Sequence, residues 1–577
     1  MALLNMGVCS RKFSFCGGLG YRIGRIARRT YDAGRNLRAL LSPSRRCKRA
    51  GIAAQRAQVD ALLNRLGRVS ACRFEGTVLV DAMWDNPNHW VRYALFRAAL
   101  GLAYGREISL HGRHARAETL RTAGRLGFAD AVTFCDVPAD DRAARRQARR
   151  LLAGTQRPED ILAWDLPHDL PPGIVYDGLL RRQISATVDV RHPGIEDHVT
   201  EALMELQRAE RLLETVRPDL VALSHTVNFD FGSLAWLAVR NGIPGGVLYG
   251  EYGLQRFSKL RGPDSIYLTS NSLTRALFDA LPESQRAALH VVGREYLERR
   301  LAAQTWDVGA IHAYRNGVTS TSRTELCRSA GWDEDRPIVA VYSVSWFDFP
   351  HLYGEMTFRD PLDWMQTTID AALQAPHVNW LFRPHPLEGR YGGVSLRSMM
   401  PARLPAHIRM APSSASGADV MASVDALVTL YGTAGIEFAA LGKPVLSASR
   451  GWYHDIGFTR TPTTRDDYKA ALGTTWWEGL GNEQTRYLAN VFAGWHFCCP
   501  YWQGGFVLGD DFEQGRLYQT IPDLFENHAE ETGKEIDLIS DWWESDMKGS
   551  HSFKMLRASG YALSNVVREP APGTGTR

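Results

Sequence analysis

Two short apolar runs, each stopped abruptly by polar, Gly- or Pro-bearing residues, constrain this chain most. They are Asn379-Trp-Leu-Phe-Arg-Pro-His-Pro386 and Asp425-Ala-Leu-Val-Thr-Leu-Tyr-Gly-Thr-Ala-Gly-Ile-Glu-Phe-Ala-Ala-Leu-Gly-Lys-Pro-Val-Leu446. A strand covered on both faces needs no polar alternation, so runs of this kind mark buried parallel strands ending in functional loops. Trp380-Leu381-Phe382 is expected as one strand, with Arg383 and His385 at its carboxyl end. Ala426-Leu427-Val428 is expected as the next, with Thr429, Tyr431, Gly432 and Thr433 leading into a helix over 434–441. Ligands of open α/β sheets bind outside the carboxyl ends of the strands. A Gly- and Thr-rich turn at a helix start offers free N–H groups, a hydroxyl and a positive dipole end to a phosphate. The stretch therefore reads as the phosphate pocket for a nucleotide-sugar.

The rest of the chain repeats the pattern. Strands are expected over 77–82, 107–111, 131–135, 219–224, 246–249 and 265–270, between helices over 90–102, 115–126, 199–216 and 233–240. Such alternation argues for parallel βαβ units. Residues 157–172 are Pro-rich and read as surface loop, and 271–336 as a helical bridge. A strand over 337–345 and a helix over 363–375 precede the pocket; Thr463 or Thr464 can cap a helix over 465–472, with helices over 482–497 beyond. At 577 residues the chain exceeds one ordinary domain. The expected plan is α/β: two Rossmann-like domains facing across a cleft. Its parts are a basic arm (1–73), an acceptor domain (74–305), a donor domain (306–500) and a helical extension and tail (501–577).

The net charge of +4 hides an asymmetry. Residues 1–73 hold 16 Lys and Arg against Asp32 and Asp60, about +14, which leaves about −10 for the remainder by subtraction from the total. Arg22, Arg25, Arg28 and Arg29 alternate with Tyr21, Ile23 and Ile26, as in a segment that lies on an anionic membrane surface. A solvated, inert arm is the other reading. No nucleic-acid module accompanies the charge, so no nucleic-acid partner is expected. No apolar stretch approaches membrane-spanning length, and the start lacks the pattern of a signal peptide. The eight cysteines show no metal-like spacing. The expected location is cytoplasmic, with peripheral attachment to the inner membrane face through the arm.

The runs Phe358-Arg-Asp-Pro-Leu-Asp-Trp364, Asn379 to Glu388 and Thr433 to Val445 resemble the bacterial capsule and surface-polysaccharide biosynthesis proteins. So do Gly457-Phe-Thr459 and Arg465-Asp-Asp-Tyr-Lys-Ala-Ala-Leu472. That family is distantly similar to 3-deoxy-octulosonic-acid transferases and to glycerophosphotransferases of cell-wall polymers. The resemblance covers roughly 340–475 and is faint over 75–300, mainly at Ser224-His225 and Asn241-Gly-Ile-Pro244. It implies a GT-B glycosyltransferase that moves sugar from a nucleotide-sugar donor to a polysaccharide or lipid-linked glycan acceptor. It also implies that the His-Pro signature and the hydroxyl-rich turn bind the donor phosphate. The turn departs from the family's Ser-Ser pair, reading Tyr431-Gly432-Thr433. A glycerol- or ribitol-phosphotransferase and a non-catalytic assembly scaffold are the alternatives.

The donor-side candidates are thus Arg383, His385, Tyr431, Gly432, Thr433 and Glu437. Arg383 is an always-charged fork suited to phosphate, and His385 sits on a loop stiffened by two prolines. Glu437, one helical turn after Thr433, can accept from the ribose hydroxyls. Transfer with inversion needs a base near the acceptor hydroxyl. Asp85, His89, His225 and Glu251 are the candidates, all in loops expected on the cleft edge, with Asp230, Asp348 and His351 also nearby. No DxD motif stands in a suitable loop: Asp333-Glu-Asp335 precedes a strand, Asp140-Asp141 starts a helix and Asp510-Asp511 lies outside the region of resemblance. No cofactor and no essential metal are expected, because dipoles and basic side chains can carry the donor's charge.

Overall fold

A computed structural model describes residues 73–497, apart from short internal stretches, together with 529–544 and 550–551. The basic arm up to residue 72 and most of the tail lie outside the described residues.

The first sheet contains β1 (Thr77–Ala82), β2 (Arg106–His111), β3 (Asp130–Thr133), β4 (Leu220–Leu223), β5 (Gly245–Glu251), β6 (Leu254–Leu260) and, from the far end of the chain, β12 (Ser550–His551). The second contains β7 (Ile338–Tyr342), β8 (Asn379–Arg383), β9 (Ile408–Met410), β10 (Ala426–Thr429) and β11 (Val445–Ser447). Their spatial orders are β12-β6-β5-β4-β1-β2-β3 and β11-β10-β7-β8-β9. The first five strands of each half therefore follow one doubly wound order, 3-2-1-4-5, all parallel. In each half the order reverses between the first and fourth strands, and the crevice there is where such sheets take ligands. These are the two Rossmann-like sheets expected from the sequence.

The strands at the middle of each sheet are largely apolar because both faces are covered. Val78 to Ala82, Ile338 to Val341, Asn379 to Phe382 and Ala426 to Thr429 are all buried. The covering helices are α1 (Pro87–Leu100), α2 (Pro172–Gln183), α3 (Ile195–Val216), α4 (Phe229–Arg240), α5 (Glu283–Leu301), α6 (Val308–Tyr314), α7 (Pro361–Gln374), α8 (Ala434–Ala440), α9 (Glu483–Phe497) and α10 (Ala529–Glu544). In α3, Val199, Ala202, Leu203, Leu206, Ala209 and Leu213 form the buried stripe, and Arg217 closes the helix in the left-handed conformation ahead of Pro218. One apolar core runs continuously from the first sheet through α2, α3 and α4 to the second sheet and α7.

Several expectations needed correction. Residues 265–270 form two 3-10 turns, Pro263–Ile266 and Leu268–Asn271, not a strand. Ser265 hydrogen-bonds back to Gly262 and holds the first turn. The strand of that region is β6, antiparallel to β5. Residues 157–172 are no simple surface loop, for Ile161, Trp164, Leu166 and Leu170 are buried in the main core. Helix α5 packs on α9 in the core of the second sheet, whereas α10 packs on α1 in the core of the first. Gly293 and Gly494 let α5 and α9 touch backbone to backbone: a Cβ on Gly293 would stand 2.0 Å from the Asn490 carbonyl oxygen, and one on Gly494 2.2 Å from that of Leu289.

Candidate functional site

A cavity of about 390 Å³ opens at the carboxyl ends of β7, β8 and β10, the switch point of the second sheet. It collects every donor-side candidate: Arg383, His385, Tyr431, Gly432, Thr433 and Glu437. The polar ends of β7, Ser343 and Ser345, and the aromatic ring of Tyr353 complete its wall. Tyr353 stacks on Tyr431 with ring centroids 4.2 Å apart, which fixes the floor of the turn.

Glu437 stands where expected, but its carboxylate is already occupied. Arg300 on α5 donates from Nε to Oε1 at 2.6 Å, and the Tyr314 hydroxyl of α6 donates to Oε2. The two charges are almost wholly buried, with side chains 4% and 2% exposed. Arg300 also reaches Thr433 Oγ1 at 3.4 Å, and its guanidinium lies over the Phe497 ring. Burial and the neighbouring carboxylate push the Tyr314 phenol well above its usual range, so it remains a donor. Glu437 is thus the anchor of an Arg–Glu–Tyr cluster at the cavity wall.

Arg383 has different company. Its guanidinium donates to the Tyr342 hydroxyl at 3.2 Å and to the Ala313 carbonyl at 3.3 Å, both neutral groups. No carboxylate among the described residues pairs with it. His385 is held by its backbone N–H, which donates to Ser343 Oγ at 2.7 Å. Burial lowers its pKa to about 4, so the ring is neutral at pH 7. Asp348 also lines the cavity, with burial raising its pKa.

The acceptor-side candidates do not converge in the same way. Asp85 lies outside the described residues. His89, on α1, is completely buried, and burial lowers its pKa to about 3, which keeps it neutral and sealed from solvent. Glu251 ends β5, its backbone paired with Leu254 across the hairpin to β6. Asp230 is in the first turn of α4, where it accepts from Asn228 and from the Phe231 N–H. His225 follows β4 at the first sheet's switch point. Its Nδ1 is 2.9 Å from Ser224 Oγ, and Ser224 in turn donates to Asp81 Oδ2 at 2.5 Å. Asp81 also accepts from the backbone N–H groups of Met83 and Ser224, yet complete burial still raises its pKa to about 6.

The two domains meet through a second set of polar contacts. Asp177 of α2 accepts from the His351 backbone N–H at 2.9 Å and pairs with its Nδ1 at 2.6 Å. Burial works against the imidazolium, but Asp177 outweighs it and holds His351 above its usual range. Asp360, at the start of α7, accepts from Tyr176 and Thr187 of the first domain, at 2.5 Å each, and from Arg359. Sequence reasoning missed Arg300, Tyr314, Asp81, Asp177 and Asp360. Asp360 alone carried a local signal, an Asp directly before Pro at a helix start.

No protein-family model matches the chain. No curated protein matches its sequence. Among solved structures it is similar to the UDP-GlcNAc 2-epimerase from Neisseria meningitidis, at 10% identity over 73% of this chain and 97% of that one, with a TM-score of 0.22. The calicheamicin glycosyltransferase CalG4 stands at 13% identity, 79% and 99% coverage and a TM-score of 0.26. The glycosyltransferase SnogD from Streptomyces nogalater stands at 11%, 73% and 95%, with a TM-score of 0.22.

Proposed function

We propose that this chain is a glycosyltransferase that holds a nucleotide-sugar in the cavity at β7, β8 and β10 and passes the sugar to a hydroxyl acceptor. One observation carries the reading. Arg383 brings a charge with no carboxylate partner among the described residues into a cavity where Glu437 is already neutralised by Arg300 and where burial pushes the second lining carboxylate, Asp348, towards its neutral form. Such a site favours an anion. The neutral His385 ring and the hydroxyls of Ser343, Ser345 and Thr433 supply hydrogen-bond donors for diphosphate oxygens. As the bond from sugar to diphosphate breaks, negative charge grows on the leaving phosphate, and the same fixed donors stabilise it most at that moment.

We assign the acceptor-side base to His225. A chain in which His225 Nδ1–H donates to Ser224 and Ser224 to Asp81 fixes the tautomer in which the basic lone pair is on Nε2. Placement in bacterial capsule or surface-polysaccharide synthesis, on the inner membrane face, rests on the motif resemblance and the basic arm.

The test is the pH dependence of nucleotide-sugar affinity across a donor panel. A bound diphosphate raises the pKa of His385 from about 4, so binding takes up a proton and affinity should rise as pH falls from 7 towards 5. Nucleotide-sugars suit the test because their diphosphate does not itself titrate in this range. His385→Ala should flatten the slope and reduce turnover by about 100-fold or more, the effect of losing one transition-state donor. A folded His385→Ala protein with the native slope and near-native turnover rules the assignment out.

A further inference from the structure

The segment from Trp346 to Glu355 stands between the donor cavity and the first domain. Asp348 and Tyr353 line the cavity at β7, β8 and β10. Between them, His351 turns to Asp177 of α2. Its Nδ1 lies 2.6 Å from one carboxylate oxygen, and its backbone N–H donates to the other at 2.9 Å. The pair is largely shut off from water, with side chains 13% and 4% exposed. Gly173 of α2 makes room for it: a Cβ there would stand 2.8 Å from that of His351.

The charge of Asp177 reaches beyond this clasp. It is close enough to Asp348 and Tyr431, two groups of the donor cavity, to help raise the pKa of both. A carboxylate so near the cavity and so poorly screened opposes an anionic ligand when bare. Paired with an imidazolium, it presents no net charge.

The other groups around His351 do not take over this role. Tyr176 of α2 meets the imidazole edge-on, with ring centroids 5.1 Å apart. Asp360, at the start of α7, also favours the imidazolium but is held by Tyr176, Thr187 and Arg359. Glu355 on the same segment pairs with Arg450 at 3.8 Å, and Asp348 feels the charge of Arg181 on α2. Asp264 and Tyr267 border the adjoining cavity that Asp177 and His351 also line. Burial opposes the charge on His351, yet Asp177 and Asp360 outweigh it and hold the ring above its ordinary pKa of 6.5. His351 therefore carries its proton below that raised value and loses it as pH climbs through it.

We propose that His351 is a positioning residue of the donor site: as an imidazolium it cancels the charge of Asp177, and nucleotide-sugar affinity depends on that cancellation. The proposal rests on the reading of the cavity at β7, β8 and β10 as the donor site. Affinity is full while His351 is protonated. It falls as pH rises through the His351 titration, because Asp177 then opposes the donor's phosphates uncompensated. His385, neutral with a pKa of about 4, acts on the acid side of this range.

The experiment uses the full chain and three donors, UDP-glucose, GDP-mannose and CMP-N-acetylneuraminate, with affinity read by calorimetry from pH 7 to 9. For any that binds, affinity to the native chain should fall at least about fivefold, the low end of couplings between linked groups. The two halves of the clasp should then behave oppositely. Asp177→Asn removes the opposing charge and should hold affinity at the native pH 7 level throughout. His351→Gln keeps a hydrogen-bond donor for Asp177 but no charge. It should hold affinity at the native pH 9 level, at least about fivefold below Asp177→Asn. A merely structural clasp would cost both variants affinity in the same direction. A further measurement needs no variant: donor binding to the native chain midway through the fall should take up protons, seen as heats that change with the buffer's ionisation enthalpy. A flat native profile without proton uptake, or two folded variants that lose affinity alike, overturns the proposal while the donor site stands. Should none of the three donors bind, the donor reading itself falls and this inference with it.

Discussion

At the scale of single residues, Glu437 separates what a motif implies from what a side chain does. Its place after Thr433 suggested a partner for ribose, yet both of its oxygens accept from Arg300 and Tyr314. Removing it would leave a buried guanidinium without its counter-charge. Glu437→Ala should therefore destabilise the protein by about 3–5 kcal/mol, the range for breaking one partner of a buried pair. Glu437→Gln, which keeps an oxygen and the shape, should cost less. Urea unfolding of both variants checks this. A loss below about 1 kcal/mol for Glu437→Ala would show the pair to be dispensable and return Glu437 to a purely ligand-binding role. His385 is the opposite case. Its proline-flanked position was legible from sequence, but its charge state before a ligand arrives follows from burial that only the packed loop provides.

At the scale of elements, local rules were reliable where the signal was local. Thr464 caps Arg465–Leu472 by accepting from the Asp467 N–H, and Gly442 takes a φ of 77° directly after α8. They failed where partner strands or turns decided the outcome. Leu254–Leu260 carries Gln255, Ser258 and Lys259 and shows no apolar run, yet the adjacent β5 recruits it as an antiparallel partner. Arg300, which pairs with Glu437, lies on α5, the helix that meets α9 backbone to backbone at two glycines. Gly293→Val should force the helices apart, costing about 1–3 kcal/mol as overpacking typically does. It should also weaken nucleotide-sugar binding by withdrawing Arg300 from Thr433 and Glu437. Native stability together with native affinity in that variant would show that the contact yields without consequence.

At the scale of the whole molecule, charge is segregated along the chain. About +14 on residues 1–73 against about −10 on the remainder makes the arm an independent electrostatic element. Among the described residues no helix is long and apolar enough to cross a membrane. Attraction of about 1 kcal/mol per basic residue near an anionic leaflet makes four or five engaged arginines sufficient for attachment. Full-length protein should therefore sediment with anionic vesicles and be released by high salt, which screens such attraction. A chain beginning at Phe74 should stay in the supernatant and still bind donor nucleotide. Equal sedimentation of both would move the contact to the folded body.

The sequence by itself determined the strands that carry the donor site. β7, β8 and β10 are apolar runs that end in Pro or hydroxyl residues, a pattern written in neighbouring positions and needing no partner to be read. Only the tertiary structure decided what those strand ends face. Arg300 and Glu437 are 137 residues apart, and His351 and Asp177 are 174 apart. Such pairs leave no trace in local spacing, because the packing of whole helices and domains brings them together. The same packing decides which polar groups line the cavities, and with them their chemistry.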